Sequence, residues 1–149
     1  MVTEAGVRAV LQTVMDPEIP TASIVDLGMV EAVRASEDGV EVDLVPTFSG
    51  CPALDVIRED VRAALAKAGV SATVRFVTAP AWTTDRIVPA GRAALPLYGV
   101  SAPGDLARPF CGSTQTEEQS RIGPTPCRSI RYCAACRNPY EGFKPKLRA

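Results

Sequence analysis

Five cysteines and no histidine define the chemistry open to this 149-residue chain. Cys51 stands alone in the run Pro46-Thr47-Phe48-Ser49-Gly50-Cys51-Pro52-Ala53, whereas Cys111, Cys127, Cys133 and Cys136 fall in the last third. The division predicts two kinds of sulfur chemistry: one exposed, reactive thiol and one four-thiol metal site. Without histidine there is no Ser-His-Asp or Cys-His nucleophile pair and no imidazole acid–base catalysis. Any catalysis would fall to Cys, carboxylate or Lys, so the reading favours a protein with no catalytic activity of its own. No catalytic residue is assigned.

In the tail, Cys133-Ala134-Ala135-Cys136 is a C-x₂-C knuckle, a spacing that lets two thiolates reach one tetrahedral ion. Cys111-Gly112-Ser113 reads as the end of a matching knuckle, but Arg108 stands where its first cysteine is expected. Cys127 can supply the missing ligand, and four thiolates around zinc is the economical solution. An iron–sulfur cluster, a redox pair at Cys133 and Cys136, and a metal-free ribbon stay open as alternatives.

Cys51 reads as an N-cap or first-turn residue of a helix, with Pro52 at the first helical position. A thiol there feels the positive end of the helix dipole, which favours the thiolate that ligates iron or attacks sulfur. Thr47 and Ser49 could hydrogen-bond the sulfur or a bound cluster edge. One cysteine cannot hold a cluster alone, so a second protomer or a client would complete a transient site. The alternative is a cysteine used as a small apolar side chain. Asp16 and Glu18, on the loop Asp16-Pro17-Glu18-Ile19-Pro20, are two exposed carboxylates that could ligate iron or simply end a helix. Trp82 could anchor a client or close a small core.

These residues need elements to position them. Val7, Val10, Leu11 and Val14 recur at helical spacing after Thr3 as N-cap, and the helix is expected to end near Met15, before Pro17. Residues 29–45 read as a β-hairpin around Glu37-Asp38-Gly39. Leu54, Ile57, Val61, Leu65 and Ala68 mark a second helix ending at Gly69, and a third strand spans about 72–78. Pro89, Gly91 and Pro96 are expected to break residues 85–98 into short turns. The order helix-strand-strand-helix-strand predicts an α+β fold, with helices on one face of a small mixed sheet. Residues 1–99 form the expected first domain and 100–109 a linker. Residues 110–149, poor in large apolar side chains, form a zinc-ribbon-like β module held by metal.

Composition is that of a soluble globular chain, 46% hydrophobic and 22% charged. Neither a membrane span nor a signal peptide is recognisable, so a cytoplasmic location with reduced thiols is expected. Residues 1–103 carry 13 acidic and 8 basic side chains, residues 104–149 carry 4 and 8. The tail's basic residues are scattered singly, which points to charge compensation around thiolates rather than to nucleic acid.

Together the motifs resemble the PaaD-type subunit of the phenylacetyl-CoA ring epoxidase system, a family joining a MIP18-like (DUF59) iron–sulfur assembly domain to a cysteine ribbon. The matching segments are Asp16–Pro20, Asp26-Leu27-Gly28-Met29-Val30, Pro46–Ala53, Ala81-Trp82-Thr83-Thr84-Asp85, Cys111-Gly112-Ser113, Cys127-Arg128, Cys133–Arg137 and Pro139–Lys144. The resemblance implies an accessory or maturation role in aerobic phenylacetate degradation, assisting iron–sulfur or iron-centre assembly in a client. The client would be the epoxidase oxygenase or the iron–sulfur reductase subunit. It implies bound zinc, a transient iron–sulfur cluster, a possible homodimer, and no nucleic-acid or membrane partner. The alternative is a structural adaptor docking oxygenase components. Two departures stand out: Arg108 replaces the first ribbon cysteine, and Pro145-Lys146 replace a terminal cysteine of some relatives.

Overall fold

The computed structural model describes residues 1–146. Helix α1 spans Glu4–Leu11, with the Thr3 hydroxyl accepting the Gly6 N–H at 3.1 Å. It ends one turn before the expected Met15. There the β-branched Thr13 turns its hydroxyl onto the Val10 carbonyl at 2.7 Å, and the backbone tightens into i to i+3 bonds.

Strands β1 (Val30–Ser36) and β2 (Gly39–Leu44) form the expected hairpin, and α2 (Ala53–Lys67) returns the chain so that β3 (Ala72–Phe76) pairs parallel with β2. The sheet order is β1-β2-β3. Val40, Val42 and Leu44 enter the core beneath the two helices together with Val7, Leu11, Ile57, Val61 and Leu65. On the opposite face Asp43 receives Arg34 and Arg75, each at 2.6 Å, and these bonds hold its carboxyl below the usual range. Gly28 at φ +69° is required: a side chain there would meet the Arg86 backbone, and Arg86 Nε donates to the Gly28 carbonyl at 2.8 Å.

Residues 85–98 are more regular than expected. A 3₁₀ turn (Thr84–Arg86) leads into a continuous helix, α3 (Pro89–Leu97). Pro89 opens it, where no N–H is needed, and Pro96 sits in its last turn, where one missing hydrogen bond costs little. The expected linker over 100–109 is also partly structured. Val100–Ser101 forms β4, which pairs parallel with β7 (Asn138–Phe143). With β6 (Arg128–Cys133) and β5 (Thr116–Ser120) these make the second sheet, ordered β4-β7-β6-β5. The result is an α+β molecule with a cysteine-bearing β module at its C-terminal end. No helix among the described residues is long and apolar enough to cross a membrane.

Candidate functional site

Cys111, Cys133 and Cys136 bring their sulfurs within 4.8 Å of one another, and Cys111 Sγ lies 3.6 Å from Cys133 Sγ. Cys133 ends β6 and Cys136 closes the turn into β7, so the hairpin presents the knuckle. The backbone N–H of Cys136 bonds the Cys133 sulfur. With hydrogen bonds from the neighbouring thiols, this holds Cys133 down to about 7. At Cys111 the Ser113 N–H acts downward, but desolvation and the adjacent sulfurs outweigh it and the thiol sits above its ordinary value. Three soft donors at this spacing fit three corners of a tetrahedral metal site. The fourth corner has no cysteine. Arg108 opens the turn leading to Cys111, its Nε buried without a hydrogen-bond partner. Its positive charge suits a metal–trithiolate centre, which carries net negative charge.

Cys127 does not complete this centre, and the expected four-thiol set is corrected accordingly. Its sulfur is buried, 3.1 Å from the Thr125 hydroxyl, and it packs within the main apolar core. The reason is register. Cys133 pairs with Asn138 at the hairpin tip, whereas Cys127 lies just before Arg128, which pairs with Phe143 at the far end of the same two strands. Burial pushes the Cys127 thiol up. Thr125 and Arg128 oppose the rise, and the nearby Asp16 and Cys51 side chains add to it.

Cys51, half-buried, sits one residue earlier than expected: Pro52 is the N-cap of α2, and no side chain caps the first-turn amides. The Cys51 carbonyl accepts the Leu54 N–H at 3.1 Å. Thr47 and Ser49 precede it on the same loop. Thr47 offers its carbonyl to Lys146 Nζ at 2.9 Å, and Ser49 lines a small groove of about 180 Å³ with Trp82 and Lys146. The Asp16 loop is not the exposed carboxylate pair the sequence suggests. Asp16 is 8% exposed, its Oδ1 accepting the Glu18 and Ile19 N–H groups at 2.8 and 3.1 Å. Burial pushes its carboxyl up despite those bonds. Glu18 is partly exposed and ion-paired to Arg128 at 3.3 Å.

Trp82 is not an exposed anchor. It is 1% exposed, donates Nε1–H to the Leu27 carbonyl at 2.8 Å, and packs 6.3 Å from Phe48 and 5.9 Å from Phe143 between ring centres. Two residues unassigned from sequence organise the seam between the modules. Arg128, buried, binds Glu18, Glu141 at 2.6 Å and Thr125 at 2.8 Å, while Lys146 reaches the Cys51 loop. The acidic front and basic tail were the available signal. In the sequence that opposition reads as charge compensation around thiolates, and it does not show that the two segments dock through it.

The architecture is thus an assembly-type α+β domain joined to a cysteine ribbon, and comparison with known proteins agrees. Residues 4–76 match the model of the iron-sulfur cluster assembly protein family, and residues 101–144 match the PaaD zinc beta ribbon domain. The chain is 36% identical over 147 residues to a putative 1,2-phenylacetyl-CoA epoxidase subunit of Escherichia coli, covering 91% of this chain and 89% of that one. An Fe-S protein maturation auxiliary factor of Porphyromonas gingivalis is 46% identical over 61 residues, or 40% of this chain and 57% of that protein. The crystal structure of a DUF59 domain of unknown function from Bacillus anthracis matches with a TM-score of 0.58 at 31% identity, covering 62% of this chain and 90% of that one. The chain belongs to the PaaD-type family, a DUF59/MIP18 iron–sulfur assembly domain carrying a cysteine ribbon.

Proposed function

We propose that this protein is a cytoplasmic maturation factor of a phenylacetyl-CoA epoxidase system, handing an iron–sulfur or iron centre to an oxygenase or reductase subunit. The observation that carries the reading is Cys51, half-buried on a loop at the uncapped start of α2, within a domain of the assembly family. A thiolate there can ligate iron and release it. Open coordination positions suit transient cargo rather than a resident cofactor. Thr47, Ser49, Asp16 and Glu18 frame the loop, and a client or a second copy of the chain supplies further ligands. Zinc fits the ribbon's three thiols, Cys111, Cys133 and Cys136, and would act there by cross-linking the hairpin to the preceding turn.

Anaerobic reconstitution with iron and sulfide, followed by transfer to a cluster-free client, tests the reading. Cys51→Ala is expected to lower retained iron and client activation at least ~10-fold. Equal occupancy and equal activation in both proteins would sink it. A second reading, an adaptor that docks oxygenase components, is favoured by Leu106, Phe110 and Ile122, apolar side chains exposed around the ribbon. It predicts stable co-purification with epoxidase subunits and full function of Cys51→Ala.

A further inference from the structure

Cys127 is a buried nucleophile that the three-thiol centre leaves over. It belongs to the ribbon in sequence, yet it packs in the same apolar core against which Cys51 of the first module rests. Several contacts bring the two cysteine segments together. The Cys127 carbonyl accepts the Lys144 N–H at 2.8 Å, next to Phe143, whose ring lies 6.3 Å from that of Phe48. Phe48 is three residues before Cys51. Lys146 Nζ holds the Thr47 carbonyl of the same loop, and Arg128, adjacent to Cys127, holds Glu18. Asp16 is buried at this seam. Both hydrogen bonds it accepts among the described residues fall on Oδ1, which leaves Oδ2 as a donor atom for a cation. The electrostatics agree: the Cys127 thiolate is disfavoured by burial first, and then by the nearby Asp16 and Cys51 side chains. Groups that resist charging together are relieved by a bound cation.

We propose that Cys51 and Cys127 are paired thiolate ligands of one iron–sulfur site at the seam of the two modules, with Asp16 as an oxygen donor beside them. The inference rests on the cluster-handling function above and adds its second ligand. Among the described residues the seam donors Cys51, Cys127 and Asp16 do not all lie within 4.8 Å of one another as the ribbon triad does, so the set of three is spread more widely than that centre. Wider spacing suits irons bridged by sulfide rather than a single ion. Binding of a preformed cluster is ligand exchange: each thiol gives its proton to solvent, its sulfur lone pair displaces a water or thiolate ligand from iron, and no electron is transferred. A site shared by both modules is assembled only while the ribbon is docked, which makes cluster retention sensitive to anything that lifts the ribbon.

The test uses the full-length, zinc-loaded chain under anaerobic conditions, with mixed ferrous and ferric iron alone or the same iron plus sulfide, for wild type, Cys51→Ser and Cys127→Ser. Wild type is expected to retain iron and acid-labile sulfide together. Both variants should lose iron to a chelator at least ~10-fold faster, with zinc content unchanged. Retention by Cys127→Ser equal to wild type, while Cys51→Ser loses the cluster, overturns the Cys127 role and leaves the proposed function standing. No uptake by wild type overturns both. Iron held equally with and without sulfide means a single ion and overturns the cluster site. Should Cys127→Ser fold poorly, a short thiol-reactive bis-maleimide cross-linker on wild type decides. Joining Cys51 to Cys127 in the cluster-free chain, with protection after loading, supports the proposal. Absence of that linked peptide pair, or no protection after loading, overturns it.

Discussion

Asp16 shows at the residue scale what a buried carboxylate costs. Burial raises its pKa, although two backbone N–H groups favour the charged form. A carboxyl raised in the folded state contributes stability that is fully present below the unfolded value of about 4 and is lost as pH rises through the folded value. At neutral pH Asp16 is therefore a net cost to the fold. Asp16→Asn keeps the Oδ1 acceptor and removes the buried charge. The variant is expected to be more stable than wild type by on the order of 1 kcal/mol at pH 7, an advantage that vanishes as pH approaches 4. Denaturant melts across that pH range check it, and a less stable variant at pH 7 would contradict it. The sequence showed Asp16 and Glu18 as equals on a proline-stiffened loop. Only three-dimensional packing separated them, burying one and pairing the other with Arg128.

Among the elements, legibility followed periodicity. α2, with apolar residues at Ile57, Val61 and Leu65, and the hairpin, with Val40, Val42 and Leu44, carry the patterns their burial demands, and both were readable. α3 was not, because Pro89 and Pro96 look like breakers unless one knows they fall at its first and last turns. β5 was also silent: Thr116-Glu117-Glu118-Gln119-Ser120 is a polar edge strand defined by its partner β6 rather than by its own residues. With so little to bury, this strand is expected to depend on a metal ion held by the three thiols. Stripping the metal is expected to unfold β5, β6 and β7 while β1–β3 and α2 persist. Hydrogen exchange would then show protection lost over residues 116–143 and retained over 30–76. Unchanged exchange in both regions would show that the strands hold without metal.

For the whole molecule, the charge asymmetry acquires a physical role. The acidic first module and the basic tail meet at Arg128, an 8%-exposed side chain paired with Glu18 from one module and Glu141 from the other. Arg128→Ala is expected to cost roughly 2 kcal/mol, less than a fully buried pair because both glutamates stay partly in water. It should also broaden or split the unfolding seen in calorimetry relative to wild type. A sharp transition at the wild-type temperature would contradict this. By itself the sequence determined the α+β class, the order of the first five elements and the division of the cysteines into a lone thiol and a tail group. These depend on local periodicity, turn residues and short spacings. Tertiary structure alone decided which cysteines meet. Register along β6 and β7 sends Cys133 to the hairpin tip with Cys111 and Cys136 and sends Cys127 the opposite way, into the core against which Cys51 also packs. Segments 76 residues apart in the chain, carrying Cys51 and Cys127, meet at one core only when the ribbon docks, and no spacing rule encodes that meeting.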